Sequence, residues 1–251
     1  MLDDVLDKIT LGDSYRLVKG IPDRCIDLII TDPPYKIGKN LSGKSGLFKS
    51  RKGGYCHELC ANDSRLISGI DFTILQEFFR VMKKVNCFIW CNKEQIYDYI
   101  NFFVYKKHCN FEILIWEKHN VPPFFSTHFL KDKEYCLYFW EKGVNLRFSN
   151  MDEARTVFHS NLNLVDKKLY GHPTIKPLKY IESMISVASN IGDIVFDPFS
   201  GSGTTACACK ELSRHFVSFE IDPMYWRTSI DRLNGITKGE RDAGVVQMKL
   251  F

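Results

Sequence analysis

Residues 194–205 read Ile194-Val195-Phe196-Asp197-Pro198-Phe199-Ser200-Gly201-Ser202-Gly203-Thr204-Thr205. A short apolar run ends at an acidic residue, a glycine turn follows, and Thr204 opens a helical stretch to about Leu212. That order predicts a buried strand, a tight turn and a helix. Glycine belongs where backbone must approach a ligand closely, and a helix N-terminus offers free amides to it. A second apolar strand, Phe216–Ile221, carries Glu220 nineteen residues after Gly201, a spacing at which a carboxylate can hold both hydroxyls of a ribose. Strand, helix and strand in this order predict an α/β fold with a mainly parallel sheet. The glycines alone leave the ligand open. A nicotinamide nucleotide would use G-x-G-x-x-G, whose third position is here Ala206, and an ordinary βα turn needs glycine too.

Outward from this stretch the same alternation recurs. Cys25–Thr31 reads as a buried strand ended by Asp32-Pro33-Pro34-Tyr35. Phe72–Met82 has helical spacing, with Phe72, Leu75, Phe78, Phe79 and Met82 on one face. A strand (Asn86–Cys91), a helix (Glu94–Val104) and a strand (Phe111–Trp116) come next. Tyr135–Trp140 is another strand, expected antiparallel to Phe111–Trp116 because only a Pro-rich link, Val121-Pro122-Pro123, lies between them. Residues 143–171 are polar and expected to be irregular. A helix follows Pro177 with Ile181, Met184, Ile185 and Ala188 on one face, and a last helix spans Pro223–Leu233.

With 251 residues, 45% of them hydrophobic, the chain can bury a full core and is expected to form one domain. Net charge is only +4, but its distribution is informative. Lys36, Lys39, Lys44, Lys49, Arg51 and Lys52 occur with no acidic residue among them, a pattern of solvated loops and of nucleic-acid footprints. They fall in a Gly/Ser/Lys-rich segment at about 36–69, expected to be a long substrate loop. Within it, Gly38 to Ser45 spells the phosphate-loop pattern G-x-x-x-x-G-K-S. A working phosphate loop follows a strand directly and opens a helix. Here Asp-Pro-Pro-Tyr precedes it and Gly46, Gly53 and Gly54 follow, so a basic loop on a DNA backbone is the better expectation. Met1–Thr10 has no apolar core segment, and no apolar run approaches the roughly 20 residues that span a bilayer. The expected location is the cytoplasm. Nine cysteines then read as reduced thiols. Cys56 and Cys60 flank His57 but lack a second ligand pair, so no metal is expected.

Asp32-Pro33-Pro34-Tyr35 suits chemistry on the amino group of a flat base. Such a nitrogen is a poor nucleophile because its lone pair is delocalised into the ring. Accepting hydrogen bonds from both N–H groups restores nucleophilic character; Asp32 can supply one acceptor and the Pro33 carbonyl the other. The prolines fix an extended turn, and Tyr35 offers a face for stacking. A base paired in a duplex must be flipped out to reach such a site.

Together, Asp32-Pro33-Pro34-Tyr35, His172-Pro173-Thr174-Ile175-Lys176-Pro177, the 196–205 string and Phe219-Glu220-Ile221-Asp222 resemble the S-adenosylmethionine-dependent amino-group DNA methyltransferases of the permuted beta subgroup. The resemblance implies a single Rossmann-like methyltransferase domain, circularly permuted, with an antiparallel strand in its sheet. It implies S-adenosylmethionine held by Asp197, Phe199, Ser200, Gly201, Gly203, Thr204, Thr205, Glu220 and Asp222. Asp197 would lie near the methionine amino group, Glu220 on the ribose, and His172, Thr174 and Lys176 at the methionine end. Gly12-Asp13 matches the family's Gly-Asp and would reach the adenine ring. Asp at the head of the tetrapeptide resembles the adenine-N6 members, whereas cytosine-N4 members more often have Ser. The alternatives are cytosine N4, an RNA substrate, or a non-catalytic nucleic-acid-binding subunit. Lys118 and Asn120 match a Lys-x-Asn of the family and are candidate DNA contacts. Residues 143–171 stand where relatives carry target-recognition segments; the shortness of this one implies a short site or a homodimer. Gln247-Met248-Lys249-Leu250-Phe251 resembles the peptide that docks on the replication sliding clamp, through Gln247, Leu250 and Phe251.

Overall fold

The computed structural model describes residues 2–36, 69–121, 129–172 and 174–244. In chain order these form β1 (Lys8–Leu11), α1 (Ser14–Leu17), β2 (Leu28–Thr31), α2 (Ile74–Val81), β3 (Asn86–Cys91) and α3 (Ile96–Ile100). A π-helical turn, Asn101–Lys106, prolongs α3. Then come β4 (Asn110–Lys118), β5 (Lys133–Trp140), β6 (Val157–Ser160), α4 (Leu164–Tyr170), α5 (Leu178–Ala188) and β7 (Ile194–Asp197). The described chain ends with α6 (Thr204–Glu211), β8 (His215–Glu220), α7 (Pro223–Leu233) and α8 (Lys238–Asp242).

The strands make one eight-stranded sheet in the order β1-β8-β7-β2-β3-β5-β4-β6. Every neighbouring pair is parallel except those of β5, which runs antiparallel to β3 and β4. The α/β class and the single antiparallel strand are as expected. Burial on both faces explains the near-continuous apolar strands. All residues of β2 and β3 are buried. One face packs Ile29, Cys87, Phe196 and Val217 against Leu75 and Phe78 of α2. The other packs Leu28, Ile30, Phe88 and Val195 against Ile181, Met184 and Ile185 of α5 and Ala206 and Cys209 of α6. Of the apolar stripes read from the sequence, Leu75, Phe78 and Met82 at α2 and Ile181, Met184 and Ile185 of α5 are buried, whereas Phe72, Phe79 and Ala188 are only partly so; Ile74 and Val81 are buried in addition.

One expectation needs correction, and one strand carries no sequence signal. Residues 143–171 are not irregular throughout: Val157–Ser160 adds a parallel edge strand to β4, and Leu164–Tyr170 is a helix closed by Gly171 in the left-handed conformation, φ +74°. Backbone pairing, not an apolar repeat, organises β6. At the other edge, β1 joins β8 over Lys8–Leu11, a strand too short to show a period.

Topology fixes the position of the site. β1, β8, β7 and β2 are adjacent, so Asp13, Glu220, Asp197 and Asp32, each at or just beyond one of their C-terminal ends, are gathered along one rim. In parallel α/β sheets that rim is where ligands bind. No helix among the described residues is long and apolar enough to cross a membrane.

Candidate active site

Asp197 ends β7 with a buried side chain. Its Oδ1 accepts from Thr31 Oγ1 at 3.0 Å and from the Phe199 amide at 3.1 Å, and its Oδ2 accepts from Thr205 Oγ1 at 2.7 Å. The Thr31 bond ties the end of β2 to the end of β7. Burial pushes the carboxyl up to about 6 while these donors pull against it. The turn then needs its glycines. Gly201 has φ +52° and Gly203, which caps α6, has φ +75°. A Cβ on Gly203 would lie 2.9 Å from Ser229 Cβ, and one on Gly201 would lie 3.3 Å from His172 Nε2. Ser200 Oγ is buried in this turn with no hydrogen-bond partner.

Glu220 closes the turn from β8. Its Oε2 accepts from the Gly201 amide at 2.7 Å and its Oε1 from the Asp222 amide at 2.8 Å. Burial pushes this carboxyl up to about 7, against both amides. Asp222 caps α7, accepting from the amides of Met224 at 2.7 Å and Tyr225 at 3.1 Å, and Asp13 caps α1 through the Tyr15 amide at 3.0 Å. Ser14 donates to the Pro198 carbonyl. His172 lies against the Tyr225 ring, centroids 4.2 Å apart, and its Nδ1 accepts from the Thr174 amide at 3.3 Å. Burial, reinforced by Lys176, Arg232 and Lys167, holds its imidazole down at about 3, hence neutral.

Beyond β2, Asp32 meets Lys176, whose Nζ lies 2.5 Å from Oδ2. Asp32 Oδ1 is buried and has no hydrogen-bond partner among the described residues. Lys176 Nζ also lies 3.0 Å from Glu134 Oε2 and donates to Tyr35 Oη at 3.3 Å. Glu134 Oε1 in turn pairs with Lys118. The result is a chain of alternating charge, Lys118–Glu134–Lys176–Asp32, with no net charge. Burial opposes the ionised forms of Glu134, Lys176 and Asp32. The two lysines still outweigh it at Glu134 and hold its carboxyl at about 2, while Asp32 and Glu134 together push the Lys176 ammonium up. At Asp32 the balance differs: burial raises the carboxyl and Glu134 adds to the rise, while Lys176 and the Tyr35 hydroxyl only partly offset it. Gln95 Nε2 donates to the Pro34 carbonyl at 3.1 Å and Asn92 Nδ2 to that of Lys36 at 2.6 Å, which leaves the Pro33 carbonyl without a donor among the described residues.

Most of the candidate residues therefore converge on one rim, with two changes of place. Lys176, expected at the cofactor, has its ammonium on Asp32. Lys118, expected on DNA, turns inward to Glu134 with only 12% of its side chain exposed, because a buried carboxylate there needs a counter-charge. Asn120 accepts from the Leu162 amide at 2.6 Å, tying β4's exit to the segment before α4. Lys36 is exposed. Lys39, Lys44, Lys49, Arg51, Lys52, the 38–45 pattern, Cys56, His57, Cys60, Pro122 to Phe125, Pro173 and the 247–251 tail lie outside the described residues. The sequence reading missed Glu134, Thr31 and Arg232. Arg232 of α7 is buried and donates to Ser202 Oγ at 3.1 Å and Thr204 Oγ1 at 2.7 Å, with Asp166 of α4 at 3.7 Å. None of the three belongs to a local motif.

A family model described as DNA methylase matches residues 26–231. The type II methyltransferase M.HpaI of Haemophilus parainfluenzae is 26% identical over 92% of this chain and 76% of its own. The DNA adenine methyltransferase YhdJ of Escherichia coli (strain K12) is 27% identical over 89% of this chain and 81% of its own. Among solved structures, the complex of M1.HpyAVI with SAM superposes with a TM-score of 0.62 at 25% identity, covering 90% of this chain and 98% of that one. PvuII DNA methyltransferase, cytosine-N4-specific, shares the fold, with a TM-score of 0.60 at 20% identity over 90% of this chain and 85% of its own.

Proposed function

The chain belongs to the S-adenosylmethionine-dependent DNA methylases that modify exocyclic amino groups, and from that premise we propose that it methylates N6 of adenine, in a base flipped out of a specific DNA site. The observation that carries the reading is Asp32 Oδ1, a buried carboxylate oxygen without a donor among the described residues. A buried unpaired acceptor is costly unless a ligand completes it. The carbonyl of Pro33, the next residue, also has no donor among the described residues, so the two acceptors suit the two hydrogens of an amino group. A carboxylate at this position, and the similarity to an enzyme named as an adenine methyltransferase, support adenine over cytosine.

The glycine turn fits the cofactor. Its left-handed glycines keep side chains out of the turn, Ser200 Oγ lacks a partner, and Glu220 takes only backbone donors that it could exchange for ribose hydroxyls. Glu220 would hold the ribose, and Asp197, Phe199, Ser200 and Gly201 the methionine end with His172 and Thr174. When bound, S-adenosylmethionine supplies an electrophilic methyl group on a positively charged sulfur. The protein's part is positioning and electrostatics. Asp32 Oδ1 and the Pro33 carbonyl draw on the amino hydrogens and free the nitrogen lone pair, and Tyr35 stacks on the base. As the nitrogen gains a methyl it releases a proton, and Asp32, made more basic by burial, is the acceptor in reach. Lys176 holds Asp32 Oδ2, so only Oδ1 faces the base.

The test is mass spectrometry of nucleosides from DNA of cells expressing the protein, with Asp32→Ala as control. N6-methyladenine that vanishes in the variant is the expected result. N4-methylcytosine in its place would overturn the choice of base, and neither product in DNA would overturn the reading and turn attention to RNA.

A further inference from the structure

Glu117, near the end of β4, and His119, just beyond it, stand two residues apart and so share one face of the sheet. The His119 amide donates to the Ser160 carbonyl at 3.0 Å, which carries the β4–β6 pairing past the strand end. On β6, His159 is the register partner of Glu117. The three side chains thus form a triangle, with one donor atom from each within 4.8 Å of the others. His159 Nδ1 is 3.1 Å from Glu117 Oε2, and the two imidazole centroids are 5.4 Å apart. Alternation sends the intervening residues to the opposite face: Trp116 Nε1 donates to Ser160 Oγ at 2.9 Å, and Lys118 pairs with Glu134.

We propose that Glu117, His119 and His159 form a binding site for a divalent transition-metal ion, represented by Zn2+, with water completing the coordination. Two imidazole nitrogens and one carboxylate oxygen are the donors of a borderline-soft ion; Mg2+ and Ca2+ demand oxygen throughout. Zinc sits about 2.0–2.2 Å from such donors, which places the donors themselves roughly 3.3–3.6 Å apart in a tetrahedron. The Glu117–His159 pair is already that close. His119 needs to close by little more than an ångström, within reach of ring rotation, since solvent reaches all three side chains. The backbone beneath them is firm. β4 and β6 pair through four registers, and Tyr180 Oη donates to the His159 carbonyl at 2.6 Å. Ligands on paired strands lose little freedom on binding. The ion would fasten the four-residue edge strand β6 to β4, directly behind Lys118 and just ahead of α4. This site stands apart from the methyl-transfer reading and does not depend on it.

The full chain, freed of metal with a chelator, would be titrated with Zn2+ against a chromophoric chelator and examined with Co2+ by absorption spectroscopy. One Zn2+ per chain is expected, with His119→Ala and His159→Ala each weakening binding by more than the ~10–100-fold typical of changes outside the ligand set. Glu117→Gln should weaken it less, because the amide keeps an oxygen donor. The Co2+ spectrum should show no thiolate charge-transfer band. No binding overturns the proposal, as does binding that survives both histidine variants. A thiolate band would place the ion on cysteines and overturn it equally.

Discussion

Lys176 places its ammonium 2.5 Å from Asp32 Oδ2, across 144 residues of sequence. The pair makes the two oxygens of Asp32 unequal: Oδ2 is committed to the lysine, and Oδ1 is buried and unpartnered among the described residues. Glu134 shares the same ammonium at 3.0 Å, so Lys176 answers two carboxylates and its own charge is balanced. A lysine in that position orients the acceptor without adding net charge beside the cationic cofactor.

Removing it should therefore shift a titration before it empties the cofactor site. Lys176 lowers the Asp32 carboxyl against the effect of burial, so Lys176→Met raises it. If ionised Asp32 accepts the amino hydrogen, the acidic limb of the rate profile moves to higher pH. The loss should be greatest at acidic pH and shrink as the pH rises. Rates measured from pH 5 to 9, alongside calorimetric titration with S-adenosylmethionine, would check this. An unmoved acidic limb would show that Lys176 does not act through Asp32.

Asp32→Ala removes the acceptor itself. Deleting one preorganised hydrogen-bonding group at a reacting centre costs about 10²–10³ in rate, and here the proton acceptor goes too, so transfer should fall below detection. The half proposed for the cofactor is built from β7, β8 and their turn, so affinity for the cofactor should largely survive. Single-turnover methyl transfer and cofactor binding on one preparation would separate the two effects; full activity in the variant would sink the proposed role.

The legible parts of the molecule were those whose signal is local. β3 and β7 are apolar runs bounded by turn residues, α5 shows its stripe at i, i+3 and i+4, and the glycine turn announces a left-handed backbone. β1 has one buried side chain, Ile9, and so no period. α4 leaves Leu164, Val165 and Leu169 exposed, which erases the amphipathic sign of a helix. Glu134, Thr31 and Arg232 matter through partners far away in sequence, and no spacing rule reports such contacts. Lys118 reads as a DNA contact from its match to the family's Lys-x-Asn, but its counter-charge, Glu134, sits on the neighbouring strand.

Glu220 should make both stability and cofactor binding depend on pH. Burial raises its carboxyl from an ordinary 4.5 to about 7, so the folded chain holds this proton more tightly than the unfolded one. The stabilisation is full below the ordinary value and is lost as pH rises towards about 7, on the order of 3 kcal/mol in all. Asp197, raised to about 6, adds a loss of the same sign at lower pH. Ionised Glu220 is the better acceptor for ribose hydroxyls, so cofactor affinity should rise between pH 6 and 8. In Glu220→Gln the melting temperature should vary less over this range and the affinity should become flat and weak. A pH dependence of affinity that survives the substitution would assign it to another group.

Gly203→Ala tests the turn without touching a charge. The substitution meets two obstacles. At φ +75° an L side chain costs about 1–3 kcal/mol in backbone strain. The new Cβ would also sit 2.9 Å from Ser229 Cβ and 3.2 Å from Ser229 Cα, so α7 must move or the turn must open, for a further ~1–3 kcal/mol. Gly192 provides the control, with φ +81° and nothing within 4 Å of its added Cβ, so Gly192→Ala carries the strain alone. Thermal unfolding should therefore rank Gly203→Ala as the less stable by several degrees, and cofactor affinity should fall in that variant only. Equal melting temperatures would mean that α7 yields freely to the turn, and the close packing of Ser229 on Gly203 would then contribute nothing to holding the start of α6 in place.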